Sequence, residues 1–124
     1  MIEKKFELEE RLIDFAVEII NFVDGLPNTK AALHLGGQLL RSGTSPALNY
    51  GEAKGAESKN DFLHKMKVCL KELRESYNCM RILCRAKIYK NEQPLNELLN
   101  ECNELISIFV KSINTASKSK LSKT

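Results

Sequence analysis

The sequence predicts an all-α protein, an up-down-up-down antiparallel four-helix bundle with a kinked second helix. Three observations carry that reading. Four segments repeat apolar residues every three or four positions, as one face of an α-helix does. Glycine, proline and asparagine punctuate the joints, as at Gly25, Pro27 and Asn28. No segment alternates apolar and polar residues with the two-residue period of a half-buried strand. At 124 residues, 43% apolar and 28% charged, the chain is long enough to bury a core without disulfides. It reads as one domain: a bundle over residues 1–116 and a basic, disordered tail, SKSKLSKT, over 117–124.

The first helix, about residues 6 to 24, sets Leu8, Leu12, Phe15, Ala16, Ile19, Val23 and Leu26 on one stripe. The second, about 29 to 54, contains the least ordinary stretch of the chain, RSGTSPALNYGEA. Pro46 lacks the N–H that would meet the Ser42 carbonyl and its ring crowds that carbonyl, so it marks a bend rather than the end of the helix. Gly43 and the short hydroxyl side chains around it permit close backbone approach. The third helix opens with SKND, where Ser58 is placed to accept from the N–H three residues on and Asp61 adds negative charge to the first turn. Its apolar stripe is Phe62, Met66, Cys69, Leu70, Leu73, Tyr77, Met80, Cys84 and Ile88. The fourth begins at Asn91, tolerates Pro94 in its first turn, and lines up Leu95, Leu98, Leu99, Cys102, Leu105, Ile106, Phe109 and Ile113.

Two helices are apolar over more than one core face requires. Ile13, Val17 and Ile20 widen the stripe of helix one, and Val68, Cys79, Ile82 and Ala86 form a second stripe on helix three. They are either the margins of a broad core or a subunit interface. The four cysteines form no CxxC pair and sit within helical patterns, which makes them reduced, buried hydrophobes. His34 and His64 complete no metal-ligand spacing, so neither a metal nor a cofactor is expected. No apolar run approaches the roughly 20 residues of a membrane span, and MIEKKFELEERL is too acidic for a signal peptide, so a cytoplasmic location is expected.

Residues 38 to 62 invite a catalytic or phosphate-binding reading, with Gly43, Thr44, Ser45, Gly51, Lys54 and Gly55 close together. A phosphate-binding loop needs two glycines five apart followed directly by Lys and Ser or Thr, and no such run exists. Nothing joins a nucleophile to a base, so the chain is not expected to be an enzyme. Gln38, Arg41, Ser42, Ser45, Asn49 and Glu52 instead form a polar seam that fixes register. Arg41 and Glu52 are expected to pair with each other across the bend or with a neighbouring subunit.

Gln38, Leu39, Arg41, Ser42, Ser45, Asn49 and Glu52, followed by Asp61, Phe62 and then Lys71, Glu72 and Glu75, resemble a bacterial four-helix-bundle family. That family was first noticed as reading frames within intervening sequences of large-subunit ribosomal RNA genes. The chain departs from its pattern at Pro46, Tyr50 and Ala53. The family is similar in turn to the accessory variability proteins of diversity-generating retroelements, which form pentameric barrels and bind nucleic acid and a reverse transcriptase. The resemblance therefore implies a ring-shaped homo-oligomer, a pentamer by analogy, and contact with nucleic acid or a nucleic-acid-processing protein.

Charge is unevenly distributed although the net value is only +3. Residues 58 to 90 carry +6, whereas 1 to 26 carry −4 and 91 to 116 carry −3. On helix three, Asn60, His64, Lys67, Lys71, Arg74, Asn78, Arg81 and Arg85 recur at alternating spacings of four and three and fall on one strip. Lys67, Lys71, Arg74, Asn78, Arg81 and Arg85 are candidate contacts to RNA or DNA. With no aromatic among them, such binding is sequence-nonspecific. The competing reading pairs the strip with acidic strips, Glu3, Glu7, Glu10, Asp14 and Glu18 on helix one and Glu97, Glu101 and Glu104 on helix four, within the bundle or across subunits.

Overall fold

The computed structural model describes residues 4–122. Its helices are α1 (Lys4–Asp24), α2 (Lys30–Lys54), α3 (Lys59–Arg85) and α4 (Glu92–Ser122). Each packs on its neighbours in sequence and α1 closes on α4, while the diagonal helices approach only through core side chains. Gly36 lies against Val23 and Leu26, Gly43 against Ile19, and Lys54 reaches Glu9, so α1 and α2 run in opposite directions. The same holds for α2 and α3, where Leu35 meets Cys79, Ser42 meets Ser76, and Glu52 meets Lys65.

Local signals set the helix ends. Thr29 Oγ1 accepts from the Ala32 N–H (3.2 Å), and Ser58 Oγ from the Asp61 N–H (3.0 Å) as the SKND motif predicts. At the end of α3 the Ile88 N–H donates to the Leu83 carbonyl (2.9 Å) and the Lys87 N–H to that of Cys84 (3.1 Å). Lys87 takes φ 57° to allow this, a Schellman stop that ends the helix before Ile88. α2 runs through Pro46 to Lys54, so this proline does not terminate it. α4 continues past residue 116 to Ser122, and Lys123 and Thr124 of the expected tail lie outside the described residues.

Phe15, Ile19, Leu39, Leu73, Met80, Leu95, Leu105 and Phe109 form a core less than 2% exposed. Each such side chain contributes roughly 1.5–3 kcal/mol relative to exposure. The stripes expected on α1 and α4 supply their buried positions. On α3 the buried arc is rotated toward α2. Leu63, Ser76, Cys79 and Leu83 are buried, while Phe62, Leu70, Tyr77 and Cys84 are only half-buried. The reason is lateral packing, because α2 offers small residues and a backbone carbonyl on that side. Cys79 is accordingly a core residue, 5% exposed with its Sγ donating to the Leu35 carbonyl (3.4 Å), and this overturns its assignment to a subunit interface.

Candidate nucleic-acid interface

The α2–α3 seam is built on close approach. Ser42 and Ser76, both wholly buried, hydrogen-bond through their hydroxyls (2.8 Å), and Ser76 Oγ also lies 3.0 Å from the Glu72 carbonyl. Above them Arg41 donates to Glu72 (2.8 Å) and Glu75, with Gln38 at the margin. Those carboxylates raise the Arg41 pKa, the Glu72 hydrogen bond first, and so lock its charge. Asn49 Nδ2 donates to Ser45 Oγ (2.8 Å) and to the Ser45 carbonyl (3.1 Å). Glu52 takes Lys65 (2.7 Å). The expected Arg41–Glu52 pair is therefore absent. Residues eleven apart on one helix are too distant to meet, and α3 supplies a nearer opposite charge to each. The seam clamps two helices in register.

Three of the four cysteines are buried. Burial pushes the Cys69 and Cys102 thiols up to about 12, and raises Cys79 as well.

The basic strip of α3 is laid out differently. Lys67, Lys71, Arg74, Asn78, Arg81 and Arg85 are all exposed. From Lys67 to Arg85 the strip spans about 27 Å at 1.5 Å per residue. Apart from Arg81 donating to Asn78 (3.3 Å) and lying 5.9 Å from the Tyr77 ring, these side chains meet no partner among the described residues. Among the described residues the strip does not pair with the acidic strips inside the same bundle, for a geometric reason. Around Leu73 of the core, Glu72 turns toward α2 and Arg74 toward the α4 flank. Around Cys102 of α4, which meets the Leu73 carbonyl, Glu101 turns toward α1 and is taken by Arg11 (2.7 Å), while Asn103 turns the other way. On the strip's flank α4 places Asn96, Asn103, Ser107 and Asn114, all exposed and uncharged, with Glu92 in its first turn as the carboxylate on that side. Sequence reasoning missed this polar row, whose signal was the alternating seven- and four-residue spacing of its amides and serine.

The acids gather on the opposite side. Glu10, Asp14 and Glu18 of α1 are exposed beside Glu97 and Glu104 of α4, and Arg11 bridges Glu101 and Glu104. Glu18 has its pKa raised, by partial burial first and then by Glu101, Asp14 and Glu97. Glu3 lies outside the described residues, as does the side chain of Glu7.

Of the residues expected at a subunit interface, Ile13, Val17 and Ile20 are 41–49% exposed and Ile82 is 51% exposed. Ala86 is exposed and Val68 half-buried. The sequence reading overlooked a matching set on α2: Leu33, Leu40 and Leu48 are 66%, 40% and 70% exposed. At 100° per residue Leu33 and Leu40 fall on the α1 side of α2, beyond the line where Gly43 meets Ile19, while Leu48 faces outward. Ile13 and Ile20 fall on the α2 side of α1 and Val17 faces outward, so the two sets share the outer face of the α1–α2 pair.

The family model of the 23S rRNA-intervening sequence protein matches residues 4–111. The chain belongs to this family. Among solved structures, a protein of unknown function from the S23 ribosomal protein family of Bacteroides thetaiotaomicron is 30% identical, with a TM-score of 0.78 over 86% of this chain and 97% of that one. No curated protein matches the chain. The seam residues that carry the resemblance come together, in this family member, along the α2–α3 contact.

Proposed function

We propose that the chain is a non-enzymatic, ring-forming homo-oligomer that contacts nucleic acid through the basic strip of α3. One observation carries the reading: five cations on a single exposed face with no carboxylate partner among the described residues, bordered by the uncharged side chains of Asn96, Asn103, Ser107 and Asn114. Spaced cations that would otherwise be unneutralised are what a phosphate backbone attracts, and side-chain amides add donors to phosphate and sugar. The exposed apolar residues of α1 and α2 support assembly. They lie away from the strip, so subunits joined there keep the strip accessible.

The test replaces Lys67, Arg74 and Arg81 together with Gln. Affinity for unrelated RNA and DNA sequences falls about equally, and the salt dependence flattens by roughly 0.7–0.9 per lost phosphate contact. Assembly survives. Unchanged binding and salt slope would refute the nucleic-acid reading.

A second reading is favoured by the segregation of charge. The acidic face of α1 and α4 offers Glu10, Asp14 and Glu18 as partners for the basic strip of a neighbouring subunit. In that case the triple variant scatters the oligomer, and reversing Glu10 and Asp14 to Lys in the same chain partly restores it.

A further inference from the structure

At the end of the bundle where α2 finishes and α3 begins, all four helices border a cavity of about 1040 Å³. Its volume lies at the upper end of small-molecule sites, which run to roughly 1,000 Å³. Leu8, Phe62, Met66 and Ile108 supply apolar wall, and Tyr50 lines it while packing edge-on against Phe109, with ring centroids 6.0 Å apart. Tyr50 is only 6% exposed, and its hydroxyl has no hydrogen-bond partner among the described residues. Four cations, Arg11, Lys54, Lys59 and Lys111, also line the space, and among the described residues no carboxylate does.

These cations are not equivalent. Arg11 is held by Glu101 and Glu104, and Lys54 by Glu9 (2.6 Å), so both are already neutralised. Lys59 and Lys111 meet no carboxylate among the described residues, and Ser112 and Thr115 add hydroxyls one position and one turn beyond Lys111. An apolar wall facing water in a space of this size gains free energy when an apolar body displaces that water. Cations without a carboxylate partner at its border favour an anionic head over a neutral one.

We infer that this cavity binds an amphipathic anion, a compact apolar body carrying a carboxylate or phosphate head that Lys59 and Lys111 hold. The inference uses none of the α3 strip and stands apart from the nucleic-acid reading.

Decanoate, decyl phosphate and decanol, each below its aggregation concentration, are titrated into the full chain by calorimetry. Both anions bind saturably at one site per chain. Decanol and inorganic phosphate each bind at least tenfold more weakly, which shows that body and head are both read. Relative preference for decanoate or decyl phosphate identifies the head. Lys59→Gln with Lys111→Gln lowers the affinity of the anions at least tenfold and leaves decanol unchanged, and both positions are exposed enough to leave folding intact. Amide shifts induced by decanoate centre on Tyr50, Phe62 and Ile108. Shifts centred on Leu40 and Leu48, equal binding of decanol, or full affinity in the double variant would each overturn the assignment.

Discussion

Three glycines of α2 carry the same backbone change and meet different surroundings, so alanine at each isolates packing from propensity. In a helix interior Gly→Ala is worth about 1 kcal/mol in favour of alanine. At Gly37 and Gly51 an added Cβ finds nothing within 4 Å, so that gain is expressed in full. At Gly43 the same atom falls 2.8 Å from Cγ1, 2.9 Å from Cγ2 and 3.1 Å from Cδ1 of Ile19. Ile19 is wholly buried and β-branched, with no open rotamer to take, so α1 and α2 must separate. Overpacking of this kind costs about 1–3 kcal/mol. Gly43→Ala is therefore expected to destabilise by up to about 2 kcal/mol net, while Gly37→Ala and Gly51→Ala stabilise by about 0.5–1 kcal/mol. Gly36, with Leu26 Cδ1 at 3.2 Å and Val23 Cγ1 at 3.4 Å, meets side-chain ends that can shift and falls between the extremes. Urea unfolding at fixed protein concentration reads the midpoints, and light scattering on the same samples shows whether assembly has changed. A Gly43→Ala variant as stable as Gly37→Ala would refute the argument that close approach of α1 and α2 requires glycine there.

Four other outcomes follow from the structure. Ser76→Ala strands the buried Ser42 hydroxyl and costs about 1–3 kcal/mol, whereas Ser42→Ala combined with Ser76→Ala costs less than the sum of the single changes, measured by a double-mutant cycle in urea. Lys87→Gly relieves the positive φ at the end of α3 and raises stability by about 0.5–1 kcal/mol, read as a higher melting temperature. The pKa of Glu18 is raised in the fold, so the folded state holds the extra proton and stability falls as pH rises through the window above 4.5. Glu18→Gln consequently stabilises at pH 7, by about 0.2–0.5 kcal/mol after allowing for exposure, and the difference vanishes at pH below 4.5 in paired thermal melts. Pro46→Ala preserves folding and restores an N–H to the helix interior, with a gain of up to about 3 kcal/mol; loss of assembly without unfolding would show instead that a bend at Pro46 positions the interface.

The sequence by itself determined the four helices, the cap at Ser58, the core faces of α1 and α4, and the family. Each rests on information local to a few turns: a 3.6-residue period, a hydroxyl before a helix, or a motif confined to residues 38 to 75. The tertiary structure decided what depends on rotation between helices. It buried Cys79 and Ser76, because the α2 side of α3 accepts small residues that an apolar count ignores. It sent Arg41 to Glu72 and Glu75 and Glu52 to Lys65, because partners across a packed seam lie nearer than residues three turns away on the same helix. It also set Leu33 and Leu40 on the side of α2 that faces α1, and separated basic from acidic strips, since no single helix contains the azimuth at which its neighbour sits.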